Sequence, residues 1–443
     1  MIDNSKPITY KYILLFWYPL ALTWAMMALE GPVLQAFVSW LPMQKENLAA
    51  YGLATNIAMI IESPVIMILS ATVALVNNRS SFEKLKRFSN ALNILVTVVY
   101  LIPLLPPVFN WLAFSVLSLT PEIAALLYKG LLCLVLWSAS IGYRRFYQGL
   151  MIKRGQTRLV AIGTIARLVT MALSAIVLSY FPIDGVIVGA GALGAGVLFE
   201  AIATRIMAND VVRYFRQAES SHTPLTLRSV VSFYIPLALT SVVGMAINPL
   251  MAFFMGRFLN PIESLAVFPV IDSFVFQFRS AGFSYQEVGI ALLGEHNRNE
   301  RKIRNVGIGL MAVTTILLVG FAFTPLLHIV YTVFPYHLTP ALSWFAILPT
   351  QILVLLPILS VLYSLQRSLL INSRLTKQVT VSTIIEISVI GLMLLLMASM
   401  FTITGITAVS IALITGKCIA NVYLYWYYRL ELQKNRNYTI IQA

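Results

Sequence analysis

Charged residues are scarce in this sequence. Asp, Glu, Lys and Arg make up 11% of 443 residues, where an ordinary soluble domain carries about a quarter. A chain this poor in charge cannot solvate its whole surface, which excludes a soluble globular fold. Cysteine is scarcer still. Cys133 and Cys418 both lie inside apolar runs, which excludes a disulfide framework and a cysteine metal site. The four histidines fall mostly in connecting segments and make no metal-binding pattern. There is no HExxH, no nucleophile elbow and no Walker-type glycine-lysine-serine/threonine loop. No catalytic constellation converges, so the expectation is a protein that is not an enzyme and needs no cofactor or metal. Any transport it performs would be driven by an ion gradient or by exchange, not by its own ATPase.

Apolar residues fill the space that charge leaves. They reach 59% of the chain, and the mean hydropathy is +0.82. Runs of twenty or more apolar residues recur along the whole length, each able to cross a hydrocarbon core of roughly 30 Å as a helix. The runs are continuous rather than alternating, which favours helices over a closed barrel. The first, from about Ile13 to Leu41, is too long for a signal-peptide core and reads as the first membrane helix. Twelve spans are expected, at 12–40, 47–76, 88–112, 121–147, 158–180, 184–207, 229–257, 263–293, 305–331, 340–366, 375–400 and 404–428.

The connections alternate in character. One set is basic: Arg79–Arg87, Lys153–Arg158, Arg213–Arg228, Arg298–Arg304, Arg374–Lys377 and the tail from Arg429. The other is short and nearly uncharged, with Lys45 and Arg257 as its only cations. The positive-inside rule then places both termini in the cytoplasm, and a multi-pass protein of the plasma (inner) membrane is expected. The net charge of +14 is mostly this topology signal rather than a sign of nucleic-acid binding.

The sequence also repeats itself. Tyr18-Pro19-Leu20-Ala21-Leu22-Thr23 returns as Ile235-Pro236-Leu237-Ala238-Leu239-Thr240, a shift of 217, and Pro32 returns as Pro249. Glu46, Leu48 and Ala49 return as Glu263, Leu265 and Ala266. After a slip of two residues the match continues at 219, where Leu119-Thr120-Pro121 meets Leu338-Thr339-Pro340, and Thr157 and Thr164 meet Thr376 and Thr383. An even number of spans per half keeps both halves in one orientation, as in parallel-repeat transporters. The expected organisation is a six-helix lobe over 1–208, a cytoplasmic linker over 209–228, and a second lobe with a tail over 229–443. Two such bundles enclose a central cleft.

Ionisable residues well inside the spans are costly unless paired or facing water. They are Glu30, Glu62, Lys129, Arg167, Glu200, Asp272, Arg279, Glu287, Glu386 and Lys417. The repeat places Glu62 against Arg279 and Arg167 against Glu386, opposite charges at matched positions. These four are expected to form compensating ion pairs, within each lobe or across the axis, serving either transport or helix locking. Pro19, Pro32, Pro64, Pro236, Pro249 and Pro269 fall in the first, second, seventh and eighth spans, where each removes a backbone hydrogen bond and permits a kink. Gly189-Ala190-Gly191-Ala192-Leu193-Gly194 spells a dinucleotide fingerprint, but it lies mid-span without a preceding strand. Close helix packing explains it better.

The proline-containing first helix, the short outer loop and Leu48-Ala49-Ala50-Tyr51-Gly52-Leu53-Ala54 resemble the start of the multidrug and toxic compound extrusion (MATE) transporters and the wider MOP flippase superfamily. Val76-Asn77, Ser232-Phe233-Tyr234-Ile235-Pro236-Leu237-Ala238-Leu239 and Gly256-Arg257 resemble most closely the bacterial relatives of the progressive ankylosis protein. The resemblance implies an all-α, MATE-like fold of two six-helix bundles around a V-shaped cavity, and a monomer. It also implies a secondary transporter working by alternating access. In the drug-extruding members an acidic residue of the first helix helps couple protons or sodium. Glu30 lies in that helix, but not at the position of their pattern. The progressive ankylosis family is associated with anion release. The expected substrate is therefore a small organic or phosphorylated anion, held in the cavity by Arg279, Arg167, Lys417 and Arg257 with Asn56 and Asn248. Glu30, Glu62, Glu386 and Asp272 would serve in coupling to H+ or Na+ or in ion pairs. The alternatives are a proton- or sodium-coupled exporter of organic cations and a flippase for a lipid-linked precursor. The only partners expected are this solute and membrane lipid.

Overall fold

The computed structural model describes residues 8–117, 119–218, 225–294, 297–333, 338–400 and 402–441. The side chains of Pro32, Lys45 and Pro249 lie outside the described residues, as do 219–224 of the expected linker and 334–337 of an expected outer loop. The described residues are nearly all helical. The first half of the chain forms α1 (Tyr10–Ser39), α2 (Gln44–Glu62), α3 (Ile68–Leu75), α4 (Arg79–Leu101), α5 (Pro106–Asn110), α6 (Pro121–Cys133), α7 (Trp137–Lys153), α8 (Thr157–Ser179), α9 (Gly185–Met207) and α10 (Asn209–Gln217). The second half forms α11 (Leu227–Met245), α12 (Ile247–Met255), α13 (Pro261–Leu292), α14 (Glu300–Ala322), α15 (Leu326–Thr332), α16 (Pro340–Ile352), α17 (Leu356–Asn372), α18 (Thr376–Met400) and α19 (Gly405–Ile441).

Eleven stretches among the described residues are long and apolar enough to cross a membrane. The twelfth expected span is α13. Its 32 residues cover about 48 Å at 1.5 Å per residue and carry Glu263, Asp272, Arg279 and Glu287. The fourth and tenth spans run further than the sequence indicates, to Lys153 and Asn372. Both break midway, at 134–136 and at Leu353–Leu355, positions again related by 219.

Helix α8 shows how the chain is built for lipid. Ile162, Ile165, Val169, Leu173 and Ile176 are exposed, whereas Thr164, Arg167 and Met171 are buried. The apolar face points out and the polar face in, the reverse of a soluble helix. In α18 the residues 219 positions on, Thr383, Glu386 and Ile390, are buried in the same register.

The chain packs as two compact units. The first spans Ala25–Ser241; the second comprises Asp3–Trp24 and Val242–Ala443. This differs from the expected division at 208 and 229, because the first halves of α1 and α11 each pack with the opposite repeat. The two changeover points, after Trp24 and after Ser241, are themselves 217 residues apart. Matched anchors hold them. In the second unit Trp17 donates Nε1–H to Ser284 Oγ at 2.9 Å, and Trp24 stacks on Phe283. In the first, Tyr234, the repeat counterpart of Trp17, donates its hydroxyl to the Pro64 carbonyl at 2.5 Å and meets Phe88 edge-on. Pro64 sits in the short 3₁₀ turn, Ser63–Val65, that ends α2.

The segment expected as a linker contributes α10. Val211, Val212 and Phe215 are buried, and Phe215 stacks on Phe82 of α4, so 209–217 is a packed amphipathic helix rather than an open connection.

Candidate functional site

The most polar interior of the first unit lies where α1, α7, α8 and α9 meet. On α7, Arg144 and Gln148 are four residues apart and share a face. On α8, Thr164 and Arg167 share another. Helix α9 brings Glu200. Its approach to α8 depends on Gly196, where a Cβ would stand 3.0 Å from the Arg167 carbonyl oxygen and 3.0 Å from Met171 Cβ. The glycines of the apparent fingerprint are therefore packing residues: at Gly194 a Cβ would lie 2.9 Å from the Cys133 carbonyl.

Glu200 is fully buried and is the hub. It accepts a hydrogen bond from Arg144 Nη1, another from Gln148 Nε2 at 3.1 Å and a long one from Thr164 Oγ1 at 3.4 Å. Arg167 Nε stands 3.3 Å from Glu200 Oε2, close enough for an ion pair though not aligned as a hydrogen bond. Arg167 Nη2 donates to Glu30 of α1, the more accessible end of the network. Glu62, at the end of α2, is buried within electrostatic range of Arg144, Arg145 and Arg167. Its Oε2 has no hydrogen-bond partner among the described residues. Three arginines thus face three glutamates.

The second unit builds a smaller counterpart from α17, α18 and α19. Lys417 Nζ lies 2.7 Å from Glu386 Oε1 and 4.2 Å from the centre of the Tyr363 ring, a salt bridge supported by a cation–π contact. The Tyr363 hydroxyl bonds Ser382 at 3.0 Å and Thr383 at 3.1 Å. Arg367 also lies over this ring, at 5.2 Å. Tyr363 and Glu386 are the repeat counterparts of Arg144 and Arg167. Gly416 packs against the Glu386 carbonyl much as Gly196 packs against that of Arg167. On α13, Arg279 reaches Asp272 at 3.5 Å.

The ion pairs that the sequence-named charges form lie within single units. Arg167 pairs with Glu30 and Glu200 rather than with Glu386, and Arg279 pairs with Asp272 rather than with Glu62. For Arg167 and Glu386 the reason is local: α8–α9 and α18–α19 are drawn together by glycine, so the next helix supplies a counter-charge; Arg279 finds its own on the same helix, α13. Lys129 pairs with Asp184 at 2.6 Å, half-exposed. Glu287 is buried on α13. Arg257 does not join a buried site. It is exposed, lies 3.5 Å over the Phe253 ring and bonds the Phe253 carbonyl at 2.7 Å, in the manner of a long cation reaching for the interface. Asn56 and Asn248 are exposed and are not part of either cluster.

Arg144, Arg145, Gln148, Tyr363 and Arg367 are the residues that sequence reasoning missed. The two arginines sit close to the basic Lys153–Arg158 connection and pass for its flank. Because α7 continues to Lys153, Arg144 is nine residues inside the helix end, about 13 Å, and both arginines are buried.

Comparison with known proteins gives a fold and no close relative. No protein-family model matches the sequence, and no curated protein matches it. Solved structures do match. A MOP superfamily transporter from Pyrococcus furiosus, described as having a binding pocket of reverse polarity that suggests a different function, aligns with a TM-score of 0.75 at 14% identity, covering 96% of each chain. A Vibrio cholerae MATE transporter aligns at 0.75 and 17% identity, covering 96% of this chain and 97% of that one. An outward-facing multidrug-resistance MATE transporter of the MOP superfamily aligns at 0.71 and 14% identity over 96% of both. The chain has the MATE-like fold of a multi-pass membrane protein, and its structural neighbours are transporters.

Proposed function

We propose that the chain is a secondary transporter, with both termini cytoplasmic, that exports a small organic or phosphorylated anion by alternating access. The observation that carries this reading is the arginine-rich interior of the first unit. Arg144, Arg145 and Arg167 each present five N–H donors in a planar fork. That fork matches the geometry of carboxylate and phosphate groups. Arg144 Nε is buried without a hydrogen-bond partner among the described residues, so donor capacity remains after Glu200 and Glu30 are served. The Pyrococcus neighbour, described as a MOP transporter with reversed pocket polarity, is compatible with a member of this fold handling a solute of unusual charge. The likeness to the progressive ankylosis family at Leu48–Ala54 and Ser232–Leu239 points the same way.

Charge balance suggests the coupling. With all three glutamates ionised, the cluster is neutral. An anion entering it displaces Glu30 from Arg167, and a proton or sodium ion taken up at Glu30 or Glu62 restores neutrality. Glu386 and Asp272 would play the matching role beside Lys417 and Arg279. Proton and anion then favour each other's binding, and the linkage is reciprocal. A transporter of organic cations would show the opposite sign, because protons and cations compete for the same carboxylates.

The sign is measurable. Citrate and a nucleotide, titrated by calorimetry into purified protein, should bind more tightly in mildly acidic than in mildly alkaline buffer. Arg167→Gln should weaken the anion affinity by about tenfold, as expected for loss of one charged hydrogen-bonding partner. Tighter binding of an organic cation at alkaline pH, with neither anion bound, would favour the cation-exporting alternative.

A further inference from the structure

The first unit carries a second feature, away from the buried cluster. Three cavities adjoin on one flank. The first, about 440 Å³, is lined chiefly by Arg79, Glu83, Lys86, Arg87 and Arg216. The second, about 340 Å³, shares Arg216 and adds Arg205 and Arg213. The third is a groove of about 590 Å³ between α4, α7 and α9, walled by Ile94, Leu136, Leu198, Ile202 and Ile206. It meets the first cavity at Asn90 and the second at Arg205.

The basic end exists because α10 lies against α4 and α7. Its buried face of Val211, Val212 and Phe215 turns Arg213 and Arg216 outward, toward the cations of α4. Arg216 and Arg205 lie close enough to Lys86 to act on its charge. Glu83 is the one carboxylate among the residues lining the three cavities, and Arg79 already holds it at 3.0 Å. Cations gathered this closely repel one another unless an anion sits among them. The groove has the opposite character. Ile94, Leu136 and Ile206 are each more than half exposed, on a helical flank that faces hydrocarbon. Asn93, Ser140 and Tyr143 add polar atoms to its lining.

From this juxtaposition we infer that the flank binds one anionic phospholipid, its phosphate among Lys86, Arg205 and Arg216 and an acyl chain in the groove. A basic recess joined to an apolar groove suits neither a free anion, which has no use for the groove, nor a zwitterionic lipid, whose ammonium would meet the cations. The loop charges assign this end of the helices to the cytoplasmic leaflet, where anionic headgroups attract basic clusters. The site is separate from the Arg144–Glu200 network and does not depend on which solute that network carries.

Thermal melting of the purified full chain in neutral detergent tests the inference. The added probes are phosphatidylglycerol, phosphatidylcholine and glycerol phosphate, the last representing the headgroup alone. Phosphatidylglycerol should raise the melting midpoint saturably, with an apparent affinity at least about tenfold tighter than phosphatidylcholine. Lys86→Gln with Arg216→Gln should weaken that affinity by about thirtyfold, at about one charge's contribution each. Arg216→Gln alone gives the smaller effect should the double variant fold poorly. Ile202→Trp, which fills the groove, should weaken phosphatidylglycerol binding with the basic residues intact. Equal stabilisation by both lipids, glycerol phosphate matching phosphatidylglycerol, or indifference to the charge variants would each overturn the inference.

Discussion

Glu200→Leu should destabilise the protein by about 3–5 kcal/mol, the range seen when one partner of a buried ion pair is removed. Glu200 is fully buried and receives Arg144, Gln148 and Thr164 while standing 3.3 Å from Arg167. The substitution deletes the common acceptor and leaves two guanidiniums close together in a buried interior. The cost comes from the charges left behind, not from lost volume, because leucine is close to glutamate in size. Removing the matching charge should therefore recover part of it. Glu200→Leu with Arg144→Leu should melt above Glu200→Leu alone, giving a coupling energy that a packing defect would not produce. Melting curves of the single and double variants in detergent decide the matter. A Glu200→Leu protein that melts like the wild type would remove the cluster from the account of stability.

Glu62→Gln should abolish most of the pH dependence of anion affinity. In the wild type one linked proton can change affinity by up to about tenfold per pH unit, the equivalent of 1.36 kcal/mol. Glu62 is suited to be that group. It is buried, close to three arginines, and its Oε2 has no hydrogen-bond partner among the described residues, so either protonation state can be accommodated without breaking a hydrogen bond to that oxygen there. Glutamine keeps the shape and removes the titration. The expected outcome is an affinity fixed near the acid-side value across the pH range, because glutamine imitates the protonated acid. An undiminished pH response in Glu62→Gln would move the coupling role to Glu30, whose partner Arg167 is then the residue to vary.

Most of the architecture was legible in the sequence, because membrane helices announce themselves by length and hydropathy. The twofold repeat was legible for a related reason: prolines, threonines and charges are rare enough in apolar runs that their recurrence at a fixed shift stands out. Three features were not legible. The division after Trp24 and Ser241 depends on which repeat packs against the first half of α1 and α11, and that is decided by tertiary partners such as Ser284 and Pro64. The breaks at 134–136 and 353–355 lie in leucine–valine runs with no local marker beyond Pro357. Arg144 and Arg145 were hidden by their nearness to a basic connection. The repeat singled out Arg167 and Glu386, which the structure buries in ion pairs, but not the partners of those pairs. Opposite charges at matched positions suggest mutual pairing; a glycine on the following helix supplies a nearer one in each unit.

Counterflow into proteoliposomes tests the central claim most directly. Vesicles holding the purified chain and preloaded with unlabelled citrate, a nucleotide or an organic cation are given the labelled form outside, and uptake is followed against empty vesicles. The account predicts protein-dependent exchange of at least one of the two anions, strengthened by mild acid, and none of the organic cation. Exchange of the cation alone, weakened by mild acid, would contradict it.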